Sequence, residues 1–165
     1  MESDLDACVA LAAVVKAVDD YPPHLPQDLL RFVVGSDSID AWVAEKKGNV
    51  VGHVALNRTT SDEVMALAGH VVGKPPEALA VVARLFVAPT HRGDGTGARL
   101  LRTATAAAVD RGLAPILDVA THFTPAIALY EKLGWRRVGS VTVTFLDQDL
   151  HEFVYVGPGQ VLTDR

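Results

Sequence analysis

Apolar residues recur at spacings of three and four from the start of the chain: Leu5, Cys8, Val9, Ala12 and Val15. That is the period of one helix face, and Ser3 with Asp6 three residues on reads as its start. The helix should end near Asp19. Beyond it, Tyr21-Pro22-Pro23-His24-Leu25-Pro26 forbids regular helix, since proline lacks the N–H and fixes φ. A short helix over Gln27–Val34 is expected next. Then the period changes. Ala41–Glu45 and Val50–Leu56 are apolar runs split by Lys46-Lys47-Gly48-Asn49, which predicts a β-hairpin on a glycine turn. Asp62–Ala68 has a helical pattern, and Gly69, Gly73 and Pro75-Pro76 predict loop around it.

The second half reads more plainly. Ala78–Val87 is a long β-rich run, as expected of a central strand buried on both faces. Gly97–Arg111 is a helix with Leu100, Leu101, Ala104, Ala107 and Ala108 on its apolar face and Gly112 as its C-cap. Pro115–Ala120 is a strand. Thr124 reads as an N-cap with Pro125 at the first helical position, opening a helix over Ala126–Leu133 that stops at Gly134. Arg137–Leu146 and Glu152–Val156 form a last hairpin across Asp147-Gln148-Asp149. Hairpins mixed with strand-helix-strand units predict an α/β (α+β) fold with a sheet of about six strands. With no repeat or linker in its 165 residues, Met1–Arg165 reads as one domain.

Composition narrows the class. The chain is 49% hydrophobic and 21% charged, ordinary for a globular protein. Its net charge of -5 gives no general attraction to nucleic acid. The single cysteine, Cys8, lies in an apolar run, so it reads as an inert thiol and no intrachain disulfide can form. The acidic start Met1-Glu2-Ser3-Asp4-Leu5-Asp6 is unlike a signal peptide, and no apolar run is long enough to span a membrane. A cytoplasmic protein without membrane contact is the expectation. His70, His91, His122 and His151 are too scattered for a metal pattern, so no metal is expected.

The chemistry sits after the strand that ends at Val87. Ala88-Pro89-Thr90-His91-Arg92-Gly93-Asp94-Gly95-Thr96-Gly97 leads straight into a helix. Gly93, Gly95 and Gly97 remove the β-carbons that would hold a ligand off the backbone. A helix N-terminus adds unpaired N–H groups and partial positive charge, so the two together make a phosphate cradle. Arg92 can add a bidentate charge. A bare flexible turn is the bland alternative. A Walker loop fails, because Ala98-Arg99 stands where Lys-Ser or Lys-Thr is needed. A dinucleotide fingerprint comes closer: Gly93, Gly95 and Ala98 fit G-x-G-x-x-A, and Asp118 follows about twenty residues on. Yet Ala88 to Arg92 separate the first glycine from its strand, and Asp118 falls inside the next strand.

Arg92-Gly93-Asp94-Gly95-Thr96-Gly97 resembles the R-x-x-G-x-G/A pyrophosphate loop of the GNAT acetyltransferases. Leu85-Phe86-Val87-Ala88-Pro89 is similar to the end of that family's fourth strand. Ala126-Ile127-Ala128-Leu129-Tyr130-Glu131-Lys132-Leu133-Gly134-Trp135 resembles its A-x-x-L-Y-x-K-x-G-F signature, with tryptophan for phenylalanine. The resemblance is tight over Ala78–Gly139 and topological elsewhere.

The resemblance implies a mixed, mostly antiparallel sheet whose fourth and fifth strands splay to admit acetyl-CoA as acetyl donor. Backbone groups of Leu85, Phe86 and Val87 would pair with the pantetheine arm. Amides of Arg92, Gly93, Asp94, Gly95, Thr96, Gly97 and Ala98 would hold the pyrophosphate. A primary amine of a small molecule or peptide would attack the thioester directly. An N–H near Phe86 or Val87 would stabilise the oxyanion, and Tyr130 would protonate the leaving thiolate. An unperturbed phenol, ionising at about 10, is matched to a thiol; a packed aromatic is the alternative for Tyr130. For the base, His53 shares a strand face with Val51, Ala55 and Asn57, Glu77 precedes the fourth strand, and a water chain is a third route. Tyr21 and His24 would wall the acceptor site. A non-catalytic acyl-CoA sensor or interaction module on the same fold is the rival reading.

Two departures stand out. Phe123 occupies the place where the family often has asparagine, so a cofactor contact would pass to Thr124. Helix signals begin at Ser3, so the family's first edge strand is either absent or lies upstream of this start. A sheet edge left this way would need cover from a partner chain or another segment, with a homodimer as the candidate.

Overall fold

The computed structural model describes residues 2–19, 33, 37–145 and 147–163, with side chains omitted for residues 2, 3, 19 and 145. The chain forms two compact units, Met1–Asn57 with Val82–Ala104 and Arg58–Val81 with Thr105–Arg165. The expected proline loop and the helix over Gln27–Val34 lie outside the described residues, Val33 apart.

In the first unit, helix α1 (Glu2–Asp19) buries Cys8, Leu11, Ala12 and Val15 in a cluster with Val33 and Phe86. Strands β1 (Ser38–Lys46) and β2 (Asn49–Asn57) pair antiparallel, with Lys46 opposite Asn49. The two-residue turn between them has φ 52° at Lys47 and 78° at Gly48. Positive φ at both central positions matches the right-handed twist of the strands. The strands are longer than the sequence predicts, because the turn is tighter. β3 (Leu79–Val87) contributes its part from Val82 onward to this unit, and the Ala88 N–H donates to the Val51 carbonyl at 2.7 Å.

The second unit holds helix α2 (Asp62–Val72), capped by the Ser61 hydroxyl and closed by Gly73 in the left-handed conformation. α2 runs past Ala68, where a loop was expected. Gly69 belongs inside it because a Cβ there would lie 2.9 Å from the Lys74 carbonyl oxygen. The start of β3 pairs parallel with β4 (Ala114–Ala120) over Leu79–Ala114, Ala80–Pro115 and Val81–Ile116. β6 (Gln148–Val156) pairs antiparallel with both β4 and β5 (Arg136–Phe145). β6 begins earlier than the sequence suggests, at Gln148. Helix α3 (Thr96–Asp110) passes from the first unit into the second, and α4 (Thr124–Lys132) lies wholly in the second. Thr124 is the first residue of α4 rather than its cap, and Phe123 holds the cap position without a side-chain bond. Proline is tolerated at either early position, so the motif does not fix which residue caps.

The strand order is β1-β2-β3-β4-β6-β5, a six-stranded, mostly antiparallel sheet, as expected. Among the described residues no strand precedes α1, β1 is an edge strand, and no helix is long and apolar enough to cross a membrane.

Two glycines of the second unit differ in what surrounds them. A Cβ on Gly157 would meet the Pro115 ring at 2.6 Å and its carbonyl oxygen at 3.2 Å, whereas one on Gly139 would meet only the end of the Leu67 side chain, at 2.9 Å. Gly157→Ala is expected to lose about 1–3 kcal/mol through overpacking against a rigid ring. Gly139→Ala should lose clearly less, because leucine can turn aside. Urea unfolding of the two variants side by side checks this; equal losses would refute it.

Candidate active site

β3 ends at Val87 and a short 3-10 turn, Pro89–His91, carries the chain to Arg92. Gly93 and Gly95 then take φ of 82° and 86°, which only glycine adopts without strain. Among the described residues, a Cβ on Gly93 would meet nothing within 4 Å, and one on Gly95 only Arg99 Nη1 at 3.9 Å. These glycines answer to backbone conformation rather than crowding, and no described residue covers the surface over them.

Asp94, between them, organises the start of α3. Its Oδ1 accepts from the Thr96 N–H at 3.0 Å and the Thr96 hydroxyl at 2.6 Å. Its Oδ2 pairs with Lys46 Nζ and lies 3.7 Å from His91 Nδ1. The Lys46 ammonium and the Thr96 donors hold the Asp94 carboxyl well below the usual carboxylate range. The Arg99 N–H donates to the Gly95 carbonyl at 3.0 Å, the first helical bond. The N–H groups of Gly97 and Ala98, in the first turn, have no carbonyl one turn earlier to receive them. The expected bidentate arm of Arg92 stays exposed but folds back on the strand end, with Nη2 donating to the Val87 carbonyl at 3.3 Å. It ties the turn to the strand end.

β2 supports this turn. A Cβ on Gly52 would lie 2.8 Å from Leu100 Cδ1 and 3.4 Å from both Thr96 Cγ2 and the Phe86 carbonyl. The first turn of α3 therefore rests on bare backbone, and Thr96 is only 1% exposed. Next along β2, His53 is 2% exposed, stacks on Phe86 with ring centroids 5.0 Å apart, and places Nδ1 2.9 Å from the Arg84 carbonyl. A carbonyl only accepts, so Nδ1 carries the proton. Burial lowers the pKa of His53, which keeps the ring neutral. Arg84 itself has φ 53°, a left-handed residue inside a strand, just before Leu85, Phe86 and Val87. Asn57 Oδ1, at the end of β2, is buried and has no hydrogen-bond partner among the described residues.

The remaining predicted residues lie in the second unit. Phe123 meets the His122 ring edge-on at 4.3 Å, and the Thr124 N–H donates to the His122 carbonyl at 3.0 Å. Tyr130 is 8% exposed, its ring 6.4 Å from that of Trp135 and 5.9 Å from that of Tyr155. Glu77 sits exposed in a short 3-10 turn, Pro76–Ala78. Asp118, the residue a dinucleotide reading would assign to a ribose, is engaged instead with Glu152 of β6. Burial and the hydrogen bond from this carboxyl pair raise Glu152 to about 8.

The sequence reading misses Gly52, Lys46, Arg84 and Glu152. Only Gly52 carried a local signal, since an isolated glycine in a strand pattern marks a close backbone approach.

A model of the acetyltransferase (GNAT) family matches residues 11–135, and the chain belongs to that family. N-acetyltransferase 8 of Mus musculus is 33% identical over 122 residues, covering 71% of this chain and 49% of that protein. N-acetyltransferase family 8 member 3 of the same organism is 30% identical over 122 residues, covering 73% and 49%. The chain spans about half the length of the curated relatives it matches. Among solved structures, Arabidopsis thaliana NAA60 in complex with acetyl-CoA superposes with a TM-score of 0.65 at 20% identity, over 93% of this chain and 92% of that one. The ribosomal-protein-alanine N-acetyltransferase from Brucella melitensis gives 0.68 at 21%, over 96% of each. At these identities the likeness is one of fold.

Two outcomes follow from this geometry. A Cβ at Gly52 would press on Leu100, which is buried and has less room to turn aside than the half-buried Leu67. Gly52→Ala should therefore shift the first turn of α3 and weaken coenzyme A binding by about tenfold, the steric counterpart of overpacking; calorimetric titration measures it, and an unchanged affinity would contradict the support role. Between the usual carboxylate range and about 8, folded Glu152 keeps a proton that the unfolded chain releases. Its contribution to stability is thus present at low pH and lost as pH rises across that window. Glu152→Gln should remove this falling limb when unfolding free energy is measured from pH 5 to pH 8, whereas an identical profile in both proteins would contradict the shared proton.

Proposed function

We propose that this chain is an acetyl-CoA-dependent N-acetyltransferase that acts on a primary amine of a small molecule or peptide by direct attack. The observation that carries the reading is the turn from Arg92 to Thr96, with its two left-handed glycines and the open amides of the helix behind it. The residues fit the group: no described residue covers the surface over Gly93 and Gly95, and the Gly97 and Ala98 N–H groups suit an anion. The family match runs through both units, which supports a single acetyltransferase domain built from them.

Acetyl-CoA supplies an acetyl group activated as a thioester. The turn residues Arg92 to Ala98 would anchor its diphosphate, and the end of β3 at Leu85, Phe86 and Val87 would offer backbone N–H and C=O groups to its arm. An N–H near Phe86 or Val87 would polarise the thioester carbonyl. As the acceptor nitrogen forms its C–N bond, the C–S bond breaks and the Tyr130 hydroxyl gives its proton to the sulfur. The surplus proton of the amine leaves through a base. His53 is held to the Arg84 carbonyl and Glu77 is exposed, so water is the base this reading favours. Phe123 in place of asparagine leaves Thr124 to meet the cofactor near α4. The edge strand β1 is where a second copy would add.

Tyr130→Phe keeps the ring and removes the hydroxyl. It should lower kcat about a hundredfold, within the range for a positioned acid, with the KM for acetyl-CoA and the melting temperature nearly unchanged. Thiol release from acetyl-CoA across a panel of amines is the assay. An unchanged kcat would leave Tyr130 a packed aromatic, and coenzyme A binding with no turnover on any amine would favour a sensor.

A further inference from the structure

The proposed diphosphate cradle contains a negative charge. Asp94 stands between Gly93 and Gly95, where an anion is to dock, and its carboxylate takes the Thr96 N–H at 3.0 Å, one of the helix-start donors. A carboxylate is a good partner for a helix start, but within a few ångströms of a diphosphate it repels the ligand. The structure sets a cation against it. Lys46, the last residue of β1, reaches from the hairpin turn to Asp94 Oδ2, and both side chains are about one-third exposed. An exposed ion pair of this kind adds little to stability. Its effect on a charged ligand beside it is another matter, because that effect depends on the sum of the charges.

We propose that Lys46 is a positioning residue for the donor: by pairing with Asp94 it cancels the one negative charge in the turn and keeps that carboxylate on the helix start, out of the path of the diphosphate. The proposal rests on the reading of the turn as a diphosphate site. It assigns Lys46 an action through Asp94 and no contact with the ligand.

The pair sums to zero in the natural chain. Lys46→Met leaves one negative charge, Asp94→Asn leaves one positive charge, and the double variant returns the sum to zero. Asparagine caps a helix as well as aspartate does, so the charge changes while the turn stays. Coenzyme A binding, measured by calorimetry at low salt, should therefore be tightest in Asp94→Asn and weakest in Lys46→Met. The natural chain and the double variant should lie together between them. The Lys46→Met loss should be about tenfold, the size expected of one uncompensated charge near a diphosphate. It should shrink as salt screens the turn. In the steady state it should appear in the KM for acetyl-CoA and leave kcat alone. Lys46→Gln serves if the methionine variant folds poorly.

A double variant as weak as Lys46→Met would overturn the proposal, since it would mean that Lys46 touches the ligand itself. So would an unchanged affinity in Lys46→Met. Acetyl-pantetheine, which lacks the diphosphate, is the control for the underlying reading. If the natural chain binds it as tightly as acetyl-CoA, the turn is no diphosphate site and both ideas fall. If the natural chain prefers acetyl-CoA but the four affinities follow another order, only the role of Lys46 falls.

Discussion

A helix cannot pair the N–H groups of its own first turn, and the first unit is arranged around that deficit at the start of α3. Asp94 takes the Thr96 N–H, Gly95 begins the helical bonding, and the groups of Gly97 and Ala98 remain for something outside the helix. The rest of the local structure follows. The chain must turn from the end of β3 into α3 without covering those amides, which calls for left-handed glycines at 93 and 95. The helix must come down close on β2, which calls for the missing side chain at Gly52. Any bulk at these places would either tilt the helix or close the surface above it.

The strand that feeds this turn is held with similar economy of means. A left-handed arginine inside β3 is a departure from regular pairing, and the His53 ring meets it by donating to the Arg84 carbonyl while stacking on Phe86. Burial keeps that ring neutral, so it can lie inside the unit without an uncompensated charge. The residues that follow the left-handed Arg84 are Leu85, Phe86 and Val87, the stretch to which the resemblance assigns the pantetheine arm. The histidine that is one of the candidate bases also supports that stretch.

How much of this was legible in the sequence depended on whether the cause was local. Gly93, Gly95 and Gly97 beside Arg92 spelled out the turn because glycine is itself the cause of the backbone shape. The helix of α4 was legible for the same reason, through proline before and glycine after, whereas its Leu129-Tyr130 pair stood out only through the family resemblance. The left-handed Arg84 was not, since a histidine far away in the chain stabilises it. Lys46 read as a turn residue of the hairpin, and only the fold brings it to Asp94. Asp118 is placed inside a strand by sequence, but its partner Glu152 lies on a distant strand that only the fold brings beside it. Gly69 looked like a helix breaker, yet the close approach of the Lys74 carbonyl requires it within the helix.

The second unit contains two neighbouring phenols, and the network around them tells which one suits proton donation. The Tyr155 hydroxyl accepts from Arg137 Nε at 3.2 Å and donates to Glu131 at 3.3 Å, while Arg137 also reaches Glu131 at 3.2 Å. The same guanidinium lies over the Phe153 ring, 3.8 Å from its centroid. Burial raises the pKa of Tyr155. A phenol that already donates to a carboxylate would have to break that bond in order to give its proton elsewhere. Tyr155 is therefore structural, and its ring helps to fix that of Tyr130, with Trp135 on another side. Burial of Tyr130 among aromatic rings is thus no argument against chemistry. An acid that must meet one sulfur atom gains from a ring that cannot wander.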